Sequence, residues 1–152
     1  MNSVLKWSAI SLVAGYFINC GCEMLQSDFL QNFLEDKLIE ILVTLLAVNT
    51  ATLGIILLRL GELCDKHKTK FPIIVSAMKL SVAEQIGLII VATICLILRG
   101  SKLIQENGEM VNFCCGTVLI AVAIYAVVVV FDTAMAAFDL NDAANKLPPP
   151  QD

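Results

Sequence analysis

The chain holds one histidine, His67, set between lysines in "DKHKTK". Zinc sites draw on His and Cys ligands at defined spacings. With no second histidine and no matching cysteine spacing, a metal centre is not expected, and His67 reads as a solvated side chain. Also missing are a G-x-S-x-G turn, an H-E-x-x-H helix, a phosphate-cradling glycine loop and paired carboxylates in a soluble pocket. The expectation is a protein that is not an enzyme and carries no cofactor. Cationic charge is scarce too: 10 Lys and Arg stand against 14 Asp and Glu, a net of −4. That balance gives no footing to direct nucleic-acid binding, whose surfaces are cationic. Nor does any apolar segment alternate with period two, which removes a transmembrane β-barrel.

What the chain has is hydrophobicity. Hydrophobic residues make up 58% of its 152 positions, with a mean hydropathy of +0.82, more than a single soluble domain of that size can hide. They gather in four blocks, about residues 4–25, 38–60, 82–98 and 113–138, each near the roughly 20 residues that cross a hydrocarbon core. The predicted fold is all-α: an integral membrane four-helix bundle with helical cytoplasmic extensions, residues 1–138 forming the four-span domain and 139–152 an acidic, Pro-ended tail. The third block is the shortest, with Ala83, Glu84 and Gln85 starting it at the headgroups. Lys6 followed by an apolar stretch has the outline of a signal peptide, but no small-x-small site closes it. In "INCGC", Asn19 stands where a lipoprotein signal has an apolar residue, so the block is read as a span.

Lysine and arginine in short loops orient a membrane protein. Arg59, Lys66, Lys68, Lys70 and Lys79 cluster at the second loop, whereas the first, "QSDFLQNFLEDK", is acidic. This predicts a cytoplasmic second loop and both termini cytoplasmic. In the first loop, Phe29, Leu30, Phe33 and Leu34 recur at helical spacing against polar residues, as in a helix lying on the outer membrane surface or a cap packed on the bundle. After the second span, "RLGELCDKHK" extends the helix until Pro72, and "FPIIVSAM" re-enters an apolar patch too short to cross. The last helix runs on through "DTAMAAFDLNDAANK" before "LPPPQD" forces an extended end.

Small and polar residues inside these blocks are the candidate functional positions. Ala47, Thr50, Ala51 and Gly54 fall at i, i+3, i+4 and i+7, one helix face with almost no bulk. Ser8, Ser11, Gly15, Asn19 and Cys22 draw a similar stripe on the first helix. In lipid, helices associate through close backbone approach and interhelical hydrogen bonds, so both stripes are expected to be packing seams, with each other or between copies. Asn19 and Thr44 lie at similar depth, which allows a hydrogen bond between them. Asn49 sits beside the small face and needs a partner helix, water or a second subunit, in packing or in a conduction or ligand role. Arg59, Glu84 and Asp132 fall near one boundary and could pair, as could Glu23, Glu40 and Arg99 near the other.

Six cysteines invite a redox reading, since Cys20, Cys22, Cys95, Cys114 and Cys115 share one half of the predicted topology and Cys64 lies in the other. Their spacing opposes it: Cys20 and Cys22 point to nearly opposite sides of a helix, Cys114 and Cys115 are adjacent, and there is no C-x-x-C. They read as small buried residues, or as a packing disulfide joining the first helix (Cys20, Cys22) to the fourth (Cys114, Cys115).

The four-span outline, with "LLAVNTATLGIILLRL" in the second span and an acidic end, resembles the small membrane subunit of the bacterial Kiwa anti-phage system. The resemblance implies a homo-oligomer, a tetramer, that detects phage-induced change at the envelope and holds a soluble cytoplasmic effector. It carries no catalytic residue over. Three functions stay open: an oligomeric sensor or anchor, a small ion channel or pore lined by the polar stripes, and a thiol-quinone redox enzyme.

Overall fold

A computed structural model describes residues 2–27, 29–67, 72–101 and 108–146. The described residues form four helices, α1 (Asn2–Met24), α2 (Phe29–His67), α3 (Pro72–Arg99) and α4 (Glu109–Lys146), and no strand. Each contains a stretch long and apolar enough to cross a membrane: Val4–Met24, Phe29–Gly61, Ile74–Arg99 and Met110–Asp139. The chain is an all-α, multi-pass membrane protein. Lys68, Lys70, Lys102 and the "LPPPQD" end lie outside the described residues, as do the side chains of Cys64, Lys66, His67 and Lys146.

Two helices absorb segments the sequence assigns to loops. The first-loop amphipathic stretch is not a separate surface helix or cap but the start of α2, because Leu30, Leu34, Leu38 and Leu42 keep one inward line across "LEDK" and no Gly or Pro interrupts it. At 39 residues, α2 is about 58 Å long, roughly twice the hydrocarbon thickness. "PIIVSAM" is likewise no re-entrant patch: Pro72 opens α3, where its missing N–H falls among donors that have no intrahelical partner anyway. That adds ten residues ahead of the shortest expected span.

The α1–α2 turn is closed by backbone hydrogen bonds from Ser27 N to Cys22 O (3.0 Å) and Gln26 N to Glu23 O (3.0 Å). This is a Schellman cap, and Gln26 takes its left-handed position with φ 49°.

α4 is the centre of the bundle. It packs against α1, α2 and α3, and α2 and α3 also pack together. Of its apolar window 56% is buried within the chain, against 17–22% for the other three helices, so those three turn most of their surface outward. One core joins Leu34, Leu38 and Leu42 of α2 to Ala92 of α3 and Leu119, Ile120 and Ala126 of α4. A smaller one, nearer the chain termini, joins Leu53, Ile56 and Met78.

Candidate functional site

The small stripe of α1 is used within the chain. Ser11, Gly15 and Asn19 are buried and Ser8 is half-buried, all on the face that meets α4. At Gly15 a β-carbon would lie 2.8 Å from the Thr117 carbonyl oxygen and 3.0 Å from the Ala121 nitrogen. Only glycine permits this approach of the two backbones.

Four residues further along, Asn19 is fully buried. Its Nδ2 donates to the Phe113 carbonyl (3.0 Å) and to Thr117 Oγ1 (3.0 Å), and its Oδ1 accepts from Gln31 Nε2 at 3.2 Å. Gln31 Oε1 in turn accepts from Arg99 Nη2 (3.1 Å), which also pairs with Glu35 at 2.9 Å. One chain of polar contacts thus ties α1, α2, α3 and α4 at the end away from the termini. The expected Asn19–Thr44 bond is not made: the Thr44 hydroxyl bonds back to the Glu40 carbonyl (2.8 Å), which satisfies it on its own helix. Nor do Glu23, Glu40 and Arg99 gather. Glu40 pairs with Lys37 one turn away, and Arg99 takes Glu35 instead.

The small face of α2 behaves differently. Ala47, Thr50, Ala51 and Gly54 are all exposed, and a β-carbon on Gly54 would meet nothing within 4 Å. It is not a seam inside the chain, and it does not meet the stripe of α1. Asn49 lies nearly opposite, on the inward line that runs through Leu42, Leu45, Leu53, Ile56 and Leu60. Fully buried, it donates to Ser81 Oγ (3.2 Å) and Gln85 Oε1 (3.0 Å) on α3. The Ser81 and Thr133 hydroxyls are 3.3 Å apart, and Thr133 donates to the Val129 carbonyl (3.0 Å), so this second polar cluster reaches α4. Asn49 Oδ1 and Gln85 Nε2 are left without hydrogen-bond partners.

Glu84 and Asp132 come together, without Arg59. Both line a groove of about 590 Å³ between the N-terminal halves of α1 and α3 and the C-terminal half of α4, whereas Arg59 is exposed on α2 and is not among the lining residues. The Tyr125 hydroxyl donates to Glu84 Oε2 across 3.4 Å. Helical spacing explains the convergence: Ala77, Ser81 and Glu84 share one face of α3, and Tyr125, Asp132 and Asp139 share one face of α4.

Cys20, Cys22, Cys95, Cys114 and Cys115 are all free thiols, so no disulfide joins α1 to α4. The cross-helix thiol neighbours are Cys95 of α3 and Cys115 of α4. No metal-binding group of three or more His, Cys, Asp or Glu side chains forms among the described residues. Sequence reasoning passed over Gln31, Ser81, Gln85, Thr117, Tyr125 and Thr133. A signal was present for Gln85 and Ser81, four apart on α3 within an apolar run, but not for which helix they face. The chain matches no protein-family model, no curated protein and no solved structure.

Proposed function

We propose that this chain is a non-enzymatic membrane component that self-associates through the exposed small face of α2 and anchors a soluble effector in the cytoplasm. One contrast carries the reading. The small stripe of α1 is buried against α4, while the equivalent face of α2, Ala47, Thr50, Ala51 and Gly54, is turned outward. Small residues facing outward give lipid little to pack against, but they let a second helix approach closely. A homo-oligomer formed there, a tetramer on the Kiwa resemblance, suits a sensor in anti-phage defence.

With both termini in the cytoplasm of a bacterium, α4 runs on from its apolar stretch, Met110–Asp139, to Lys146 on that side of the inner membrane, where a soluble effector would meet it. The pore alternative draws less support, because Asn49 is enclosed by α3 and lines no opening within one chain. The redox alternative draws less support, because the cysteine spacing holds no C-x-x-C.

The test is the oligomeric state in mild detergent and in lipid nanodiscs, by native mass spectrometry, together with disulfide trapping of Ala47→Cys. The expected result is a discrete oligomer, trapped through position 47 and reduced to monomers by Gly54→Leu. A wild-type chain that stays monomeric at every concentration overturns the proposal.

A further inference from the structure

The groove that holds Glu84 lies apart from the outward face of α2, and its chemistry points elsewhere. Its floor is apolar, with Leu53, Ile56 and Met78 beneath it and Val129 of α4 beside them. Two aromatic side chains, Trp7 of α1 and Tyr125 of α4, stand in the wall. All its charged lining groups are carboxylates, Glu84, Asp132 and Asp139; no cationic side chain lines it among the described residues.

Depth sharpens the point. Because α3 begins at Pro72 rather than near residue 82, Glu84 is not at the headgroup end of its span, as the sequence suggests, but inside the apolar stretch Ile74–Arg99; at 15 residues before Arg99 it is about 22 Å along the helix, less than the roughly 30 Å of a hydrocarbon core. A carboxylate at that level is costly and calls for a partner. Among the described residues Glu84 has one long hydrogen bond from Tyr125 and no ion pair.

We propose that the groove binds a lipophilic organic cation, a monocation with a bulky or elongated apolar body. Its volume falls in the range of small-molecule sites, the carboxylates supply charge complementarity, and Trp7 and Tyr125 put aromatic rings in the wall, a residue type that attracts organic cations. A bare metal ion does not fit. Asp132 and Asp139 are separated by seven residues, about 10 Å along α4, too far to converge on one ion that needs six or more oxygen ligands. An anionic lipid headgroup would meet three like charges. The carboxylates instead form a line from inside the membrane towards the end where the termini lie, which suits an extended occupant entering with its charge towards Glu84. The groove is lined by residues of a single chain.

Trp7 is the chain's one tryptophan and stands in the groove wall, so it reports on occupancy. The experiment titrates the purified full-length chain, in phosphatidylcholine nanodiscs, with tetraphenylphosphonium, following Trp7 fluorescence and, independently, equilibrium dialysis. Saturable binding at one site per chain is expected, at least tenfold weaker in Glu84→Gln and several-fold weaker in Asp132→Asn, with neutral triphenylphosphine oxide failing to compete. Asp132 is exposed, so D132N carries the test should E84Q not fold. Binding that never saturates, equal binding by the neutral analogue, carboxamide variants that bind like wild type, or an oligomer in which Trp7 is shielded from the probe would each overturn the proposal. Because oligomer mass is read on the same sample, loss of binding is distinguishable from loss of assembly.

Discussion

Replacing Gly15 by alanine tests the central joint of the bundle. The added β-carbon would lie 2.8 Å from the Thr117 carbonyl oxygen, 3.0 Å from the Ala121 nitrogen and 3.1 Å from the Ala121 β-carbon. Two of these three atoms are backbone, which cannot rotate aside. Non-bonded carbons prefer separations of about 3.5–4.0 Å, so α1 must withdraw by about half an ångström, and a gap of that size forfeits a quarter or more of the dispersion attraction at each contact.

Overpacking of this kind costs about 1–3 kcal/mol. Stretching the hydrogen bonds of Asn19 adds to it, each being worth about 0.6 kcal/mol in a membrane. Alanine's better helix propensity offsets about 0.5–1 kcal/mol, which leaves a net loss of about 1–3 kcal/mol. α1 packs chiefly on α4, so no second interface cushions the shift. Thermal unfolding in mild detergent, read by dye labelling of buried Cys115 in a chain that keeps no other cysteine, should show a lower midpoint. Gly87→Ala, on α3 and away from the small face of α2, is the matched control: its β-carbon meets nothing within 4 Å, and the midpoint should hold or rise. Equal midpoints for G15A and the parent would refute the α1–α4 seam.

Three further outcomes are expected. Asn49→Leu should destabilise the chain by about 1 kcal/mol, because it strands Gln85 without its donor, whereas the double change Asn49→Leu, Gln85→Leu should recover much of that loss; additive effects in a double-mutant cycle would show that the two amides do not interact. Gln26→Gly removes a left-handed strain at an exposed helix cap and should stabilise by about 0.5–1 kcal/mol, read as a raised unfolding midpoint; a lowered midpoint would contradict the cap. Mild oxidation should crosslink Cys95 to Cys115 ahead of any α1–α4 pair, as peptide mapping by mass spectrometry would reveal, and preferential Cys20–Cys114 linkage would mean a different helix arrangement.

Much of this architecture was legible before any coordinates. Length and apolar continuity decide that four helices cross a bilayer, because each backbone group in lipid must find its partner within its own helix and about 20 residues reach across. The stripe on α1 was also legible, since Ser11, Gly15 and Asn19 at spacings of four define a face whatever they pack against.

Partners were not legible. In a soluble bundle the apolar side of a helix points inward, and periodicity reveals it. Here lipid and protein interior are equally apolar, so Leu53 in the core and Ile55 at the surface look alike in sequence. For that reason the sequence alone could not decide whether the α2 stripe or the line through Asn49 faces the neighbours. Nor could it show that Asn19 reaches Thr117 rather than Thr44, or that Glu84 meets Tyr125 and Asp132 without Arg59. The number of helices and their polar positions come from local chemistry; which of those positions meet depends on how α1, α2 and α3 are arranged around α4, and only the tertiary structure decides that.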